Sequence, residues 1–159
     1  VVLAAPVVNG AEAQGKCAEP GFRQLDFWLG DWAVFNPNDE QVARSSIEVA
    51  ANGCAVIERY HANTGYSGTS LNIYSEETGA WRQIWRDSNG ETIDFAGLFE
   101  SGVMEFTASG FSDQRGPFQR RMRVTALDEG RVSQISHRTY DGGENWIVEY
   151  QFVYVPVAP

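Results

Sequence analysis

The chain has 159 residues, of which 43% are hydrophobic, 13% aromatic and 21% charged, which is typical of one globular domain and excludes a disordered or low-complexity chain. Twelve Lys and Arg residues stand against 21 Asp and Glu residues, so the formal net charge is −9. This acidic balance argues against nucleic acid and anionic membrane surfaces as partners, because both attract basic proteins. No apolar run approaches the roughly 20 residues of a membrane-spanning helix, so membrane insertion is not expected.

The N-terminal residues have the pattern of an export signal. Val1–Val8 is apolar, as at the end of a signal core, and Ala11–Ala13 fits a small-residue cleavage pattern. We therefore expect residues 1–16 to be a signal-peptide remnant or N-terminal extension, and residues 17–159 to form a single domain. The expected location is secreted or periplasmic.

Two cysteines, Cys17 and Cys54, lack the C-x-x-C spacing of a zinc or redox site. Two buried free thiols are one interpretation. The other is a Cys17–Cys54 disulfide that ties the N-terminal segment to the body of the domain. The signal-like N-terminus favours the disulfide, because export permits disulfides to form.

Turn-forming clusters of Gly, Asn and Asp divide the rest of the chain at nearly regular intervals, and the runs between them have the length and alternation of β-strands. Before the first strand, apolar residues at helical spacing predict a short helix from about Phe22 to Leu29, with Gly30 as its stop. Ten strands are predicted, at residues 31–36, 43–51, 54–62, 66–75, 80–87, 92–100, 103–109, 117–127, 131–140 and 145–155. Short turns without a crossover helix predict an all-β, antiparallel up-and-down barrel of about ten strands, with the helix plugging one end.

Side-chain alternation predicts which residues face the barrel interior. In the fifth strand Arg82 and Arg86 belong in water, so Gln83 and Trp85 face inward. In the fourth strand apolarity alone would place Leu71 inside. The tenth strand alternates most clearly, and one face carries Trp146, Val148, Tyr150, Phe152 and Tyr154.

The string Leu25–Trp32, which ends in Gly-Asp-Trp, resembles the opening of a family of mostly bacterial, often secreted calycin-like proteins of unknown function, similar in fold to lipocalins and nitrobindins. Further matches follow in chain order: Gly53-Cys54 with Glu58; Gly65–Gly68 with Ser70, Asn72 and Tyr74; Trp81, Gln83, Trp85 and Asp87 with Gly90; Arg121; Gln134; and Asp141–Gly143 with Trp146. The resemblance covers about residues 17–155 and implies a calycin-like barrel around a central cavity. It also implies that Ser70 and Asn72, rather than Leu71 and Ile73, face inward.

A polar cluster inside an apolar barrel follows from this placement. The expected ligand-binding residues are Glu58, Tyr60, Ser70, Asn72, Tyr74, Gln83, Trp85, Arg121, Gln134 and Trp146. Glu58 and Arg121 are candidates for a buried ion pair. A few convergent polar groups in an apolar cavity are the usual form of a small-ligand site. The alternative is a network that satisfies itself and only fixes the shape of the barrel.

Two functions of different classes fit these residues. The first is a secreted calycin-like barrel that binds a small, partly apolar ligand. The second is an isomerase, lyase or hydrolase in which Glu58 is the general acid or base and Arg121 stabilises developing negative charge. A structural protein without a ligand is the third alternative. An open cavity with Glu58 away from Arg121 would favour catalysis, a closed pair would favour binding or structure, and a filled barrel would favour structure alone.

No cofactor or metal is expected. The two histidines, His61 and His137, lie on different predicted strands, and His61 has the opposite parity to Glu58 and Tyr60. Neither a Gly-x-Ser-x-Gly elbow nor a phosphate-binding glycine loop is present. The expected partner is a small molecule, and the expected assembly is a monomer or a homodimer.

Overall fold

A computed structural model describes residues 15–158, which form one closed antiparallel barrel. Its ten strands are β1 (Gly30–Phe35), β2 (Gln41–Ala50), β3 (Ala55–Ala62), β4 (Ser67–Ser75), β5 (Ala80–Asp87), β6 (Thr92–Glu100), β7 (Val103–Ser112), β8 (Gly116–Ala126), β9 (Val132–Thr139) and β10 (Ile147–Pro156). Each strand pairs with its neighbours in the chain, and β1 pairs with β10 to close the sheet. The predicted up-and-down barrel is confirmed. The leader expected within residues 1–16 lies almost wholly outside the described residues.

Tight turns of the predicted kind connect the strands. Between β6 and β7 the loop is the dipeptide Ser101-Gly102, with φ of 51° and 80°. Two consecutive positive φ angles define the hairpin turn whose twist matches that of the flanking strands. The β7–β8 hairpin is longer than predicted, because β7 continues past residue 109 to Ser112. Gly110 fits within this strand because the Phe118 ring covers the space where a side chain would lie.

Short 3-10 helices, rather than the predicted single helix over 22–29, plug one end of the barrel. They cover Gly15–Ala18, Pro20–Arg23 and Asp26–Trp28. Phe22, Leu25 and Trp28 are all buried, and they recur at every third residue. Leu25 lies in the turn between the second and third of these helices, so two short 3-10 helices and the turn that joins them bring the three side chains to the barrel end. None of the helices among the described residues is long and apolar enough to cross a membrane.

Covalent and polar contacts fasten the plug. The predicted disulfide between Cys17 and Cys54 is confirmed, and it joins the first 3-10 helix to the β2–β3 connection. Arg23 Nη2 donates to the Gly53 carbonyl oxygen at 2.8 Å. Trp81 Nε1 donates to Gln24 Oε1 at 2.9 Å and so ties the plug to β5. The barrel is therefore closed at the plugged end, and its interior space lies in the opposite half.

Two irregularities shape that open half. The β9–β10 register shifts between Val148 and Tyr150, which is a β-bulge around Glu149. The β6–β7 ladder ends at the pair Ala96–Thr107, although both strands continue beyond it. We call the unpaired interval, Thr92–Phe95 opposite Ala108–Phe111, the β6–β7 gap.

Candidate functional site

The open half of the barrel encloses a cavity of about 290 Å³. Its apolar and aromatic wall consists of Tyr60, Trp85, Ile93, Phe95, Met122, Tyr150 and Phe152. Its polar lining consists of Glu58, Gln83, Gln134 and Tyr154, together with Tyr66, Glu91 and Arg120. A mostly apolar concave space with a few polar groups is the usual form of a site for a small organic molecule.

Aromatic rings from three strands make one side of the cavity. Tyr60 on β3 stacks on Phe152 with ring centres 6.4 Å apart, and its edge meets the Trp85 ring at 6.3 Å. Phe152 also stacks on Tyr150 at 5.0 Å. Gly68 on β4 leaves room for the indole, because a Cβ there would lie 2.1 Å from a Trp85 ring atom. These rings present flat apolar faces to whatever occupies the cavity.

Glu58 lies at the inner end of the cavity and is almost completely buried. Ser45 Oγ donates to its Oε1 at 2.9 Å, and Ser70, directly opposite Glu58 in the β3–β4 ladder, donates to Oε2 at 3.5 Å. The hydroxyl of Tyr154 lies 3.3 Å from Oε1. Within residues 15–158 these neutral groups are the partners of the carboxyl, and the expected ion pair with Arg121 does not form.

The amide side chains of Gln83 and Asn72 form a series of hydrogen bonds that ends at Ser70, next to Glu58. Gln83 Nε2 donates to Asn72 Oδ1 at 2.7 Å, and Asn72 Nδ2 donates to Ser70 Oγ at 3.0 Å and to the Val56 carbonyl oxygen at 3.1 Å. Each of these polar groups therefore has a partner, as burial requires. These hydrogen bonds orient the Ser70 hydroxyl toward Glu58.

Burial raises the pKa of Glu58 to about 7, against the weaker opposing effect of the hydroxyl groups that donate to it. The geometry of Tyr154 agrees with a neutral Glu58. Its oxygen lies 2.6 Å from Gln134 Oε1 and 3.3 Å from Glu58 Oε1, but a phenol has one hydrogen to donate. A protonated Glu58 completes the set by donating to Tyr154 while Tyr154 donates to Gln134. Glu58 can therefore hold or release a proton near neutral pH.

A second carboxylate inside the barrel has the opposite electrostatic setting. Glu149, turned inward by the bulge in β10, accepts from Arg120 Nε at 2.7 Å and Nη2 at 3.1 Å, from Ser136 Oγ at 2.9 Å, and forms an ion pair with Arg138. Burial favours the neutral form, but the hydrogen bonds and charges of Arg120 and Arg138 outweigh it and hold the pKa of Glu149 below its usual range. Glu149 is thus an ion-pair partner, whereas Glu58 is a carboxyl available for proton transfer.

Arg121 and Trp146 lie on the outer face of the barrel, although both were expected to line its interior. Arg121 faces outward on β8, and its guanidinium carbon lies 4.2 Å from the centre of the Trp146 ring. For Arg121 the reason is the alternation of β8, whose buried residues Met122 and Val124 share the parity of Arg120. For Trp146 the reason is the bulge, which interrupts the alternation of β10 and leaves Val148 exposed as well.

The fourth strand has the orientation that the family resemblance implies. Ser70 and Asn72 are both 0% exposed, whereas Leu71 and Ile73 are 39% and 36% exposed. Ser70 and Asn72 support Glu58 rather than line the cavity. Tyr74 lies at the plugged end, with its ring 5.1 Å from Phe22, and takes no part in the cavity.

Of the other expected residues, Glu58, Tyr60, Gln83, Trp85 and Gln134 lie together around the cavity. Residues that were not expected at the site include Ser45 and Tyr154 beside Glu58 and the charged residues Arg120, Arg138 and Glu149. Arg120 could have been identified from the sequence, because the apolar residues Met122 and Val124 share its parity. The inward position of Glu149 could not, because a bulge leaves no clear signal in one sequence. Within residues 15–158, no group of three or more His, Cys, Asp or Glu side chains is placed to hold a metal ion.

Comparison with protein-family models and with curated proteins finds no match to this chain. The closed ten-stranded barrel is consistent with a calycin-like fold.

Proposed function

We propose that the barrel binds a small, partly apolar molecule in its open half. The observation that carries the proposal is the cavity of about 290 Å³, which combines stacked aromatic walls with a buried carboxyl at its inner end. A purely structural barrel gains nothing from such a space, because unfilled volume forfeits packing contacts. The ligand's ring or chain lies on Tyr60, Trp85 and Phe152, and a carbonyl or hydroxyl group meets Glu58.

The neutral dye N-phenyl-1-naphthylamine tests this proposal, since it is small, flat and apolar and fluoresces when it leaves water. We expect saturable binding of one dye per chain. Ile93→Trp, which adds bulk to the cavity wall, should weaken binding at least tenfold. Leu98→Trp is the matched control, because Leu98 lies on the same strand but is exposed on the outer face. Equal binding by the two variants would place the dye elsewhere and overturn the proposal. If binding is weakened only in Ile93→Trp, native mass spectrometry of freshly purified protein is the next step, to identify a molecule that the barrel carries.

A second candidate function, proton transfer to or from the bound molecule, is favoured by the state of Glu58. The cavity is open and Glu58 is away from Arg121, which is the arrangement expected to favour catalysis, and such catalysis requires the binding proposed above. A carboxyl with a pKa of about 7 is suited to act as general base or acid near neutral pH. The hydroxyl and amide network holds this carboxyl in one place at the cavity's inner end.

The flat aromatic compound 5-nitrobenzisoxazole tests that chemistry. A base removes its ring proton, the N–O bond breaks and a coloured phenolate forms. We expect turnover that rises with pH through about 7 and is lost in Glu58→Gln. Glu91→Gln, which removes an exposed carboxylate of the cavity rim, is the control and should retain turnover. Turnover that survives in Glu58→Gln excludes Glu58 as the base without affecting the binding proposal.

Membership of the calycin-like family and export from the cytoplasm complete the proposal. The ten-stranded barrel supports the first, and the Cys17–Cys54 disulfide supports the second, because disulfides persist in oxidising compartments. Fractionation of cells that naturally produce the protein tests export. Recovery of the chain in the cytoplasm with both thiols reduced would contradict it.

A further inference from the structure

Two arginines and one glutamate meet inside the open half of the barrel. Both Arg120 and Arg138 form ion pairs with Glu149. The side chains of Arg120, Arg138 and Glu149 are only 11%, 24% and 16% exposed. One positive charge is therefore left over in a poorly hydrated place, in a chain whose net charge is −9.

Arg120 is the member of this group that lines the cavity. Glu149 accepts from its Nε and Nη2 atoms, and its Nη1 makes no hydrogen bond within residues 15–158. Arg138, by contrast, also donates from Nη1 to the Tyr140 hydroxyl at 3.1 Å. The bidentate pair holds the Arg120 guanidinium in one orientation and leaves one donor edge for a ligand.

The barrel wall is interrupted beside Arg120. Continuing the register of the last β6–β7 pair would join Phe95 to Ala108 and Thr92 to Phe111, but neither pair forms. A groove on the outer surface meets this gap, and Phe95 and Arg120 border both the groove and the cavity. Water can therefore reach an ionic group bound at Arg120, which lowers the cost of desolvating it.

The remaining charges of the cavity do not cancel that of Arg120. Burial raises the pKa of Glu58 to about 7, so this carboxyl is largely neutral below that pH. Glu91 on the rim is exposed to solvent, and screening weakens its repulsion of an anion.

We infer that the cavity's ligand is an amphipathic monoanion, a flat apolar body with one carboxylate or sulfonate group that binds Nη1 of Arg120 beside the β6–β7 gap. The inference rests on the proposed binding function and adds to it the charge and direction of the ligand. The apolar body lies inward on Tyr60 and Phe152, and the anionic end lies toward the gap.

Two dyes that differ in one group test the inference. 8-Anilino-1-naphthalenesulfonate is N-phenyl-1-naphthylamine with an added sulfonate, so the ratio of their dissociation constants isolates the contribution of the anion. We expect Arg120→Met to weaken binding of the sulfonate dye at least tenfold relative to the neutral dye, since a charge-assisted hydrogen bond contributes roughly tenfold or more to binding. Arg44→Met removes the same charge from an exposed position on β2 that borders neither the cavity nor the groove, and it should leave the ratio as in the wild type.

Stability of the variant does not limit the test. Arg138 still pairs with Glu149 in Arg120→Met. If that variant nevertheless fails to fold, Arg120→Lys is the alternative. It keeps the positive charge but not the planar guanidinium with its several donors, and it should lose part of the preference for the sulfonate dye. In the wild type, raising the ionic strength should also reduce the preference for the sulfonate. A ratio that changes less than twofold in Arg120→Met, or equally in both methionine variants, overturns the inference while leaving the binding proposal intact. Failure of both dyes to bind the wild type overturns both.

Discussion

Replacing Glu58 by Gln should make the protein more stable than the wild type in alkaline solution, although it removes a buried, hydrogen-bonded side chain. Glutamine has nearly the shape of a protonated glutamic acid. Its amide NH2, in place of Oε1, can donate to Ser45 and Tyr154, while its oxygen accepts from Ser70. Near pH 5, where Glu58 is neutral in the folded protein, we expect the two proteins to differ by about 1 kcal/mol or less. Above neutral pH the wild type must hold a buried carboxylate, and the variant need not.

The magnitude follows from the raised pKa. The reference pKa of a glutamate side chain is 4.5, and the pKa of Glu58 in the folded protein is about 7. Between these values the folded state binds more protons than the unfolded state, so the free energy of unfolding decreases as pH rises. The stabilisation is fully present below the unfolded pKa and is lost as pH passes through the folded pKa. One pKa unit corresponds to about 1.4 kcal/mol, so the total loss from Glu58 is about 3 kcal/mol.

Urea unfolding followed by tryptophan fluorescence, with the disulfide intact, measures this loss at pH values from 4.5 to 9. Other carboxyls also contribute to the pH dependence of stability. The pKa of Asp94, for example, is lowered whereas that of Glu58 is raised, so the two groups act in opposite directions. The quantity to compare is therefore the difference between wild type and Glu58→Gln at each pH. That difference should change by about 3 kcal/mol in favour of the variant between pH 5 and pH 9.

Glu91→Gln is the control, because it removes an exposed carboxylate of the same type from the cavity rim. It should retain the wild-type dependence on pH. Parallel curves for wild type and Glu58→Gln would refute the reasoning, since they would show that burial does not hold Glu58 in its neutral form.

Three further outcomes can be measured. Replacing both cysteines of the Cys17–Cys54 bridge by serine should lower the free energy of unfolding by roughly 4 kcal/mol for a separation of 37 residues, and a loss below 1 kcal/mol would contradict the chain-entropy account. Gly68→Ala should displace the Trp85 ring, weaken dye binding and destabilise the barrel by about 1–3 kcal/mol in urea, because the added Cβ would lie 2.1 Å from that ring. In hydrogen exchange by NMR, alternate amides on each side of the β6–β7 gap should exchange much faster than those of the paired part of the same strands; uniform protection along both strands would show that the gap is closed.

Much of the barrel could be predicted from local chemistry. Glycine and asparagine at regular intervals supply the backbone conformations that tight hairpins need, and alternation between them identifies strands without reference to any distant contact. The inward positions of Gln83 and Trp85 followed from the cost of burying Arg82 and Arg86. The disulfide followed from two cysteines and an export-like N-terminus.

Local patterns failed where packing or pairing between strands decides the outcome. Two short 3-10 helices and the turn between them, rather than one helix, bury Phe22, Leu25 and Trp28 at the barrel end. The candidate site divides in the same way. The expected cavity residues on β3, β5 and β9 are in place, since regular strands keep their alternation.

Only the tertiary structure decided the charges of the site. A bulge is a property of two paired strands, so the sequence of β10 alone could not show that Glu149 turns inward and Trp146 outward. The neutral surroundings of Glu58 likewise depend on Ser45, Ser70 and Tyr154, which come from three different strands. The sequence by itself determined that this protein is an antiparallel barrel with polar residues inside. Which carboxyl stays neutral there, and which one turns inward at the bulge, were decided by burial and strand pairing, because both depend on neighbours far apart in the chain.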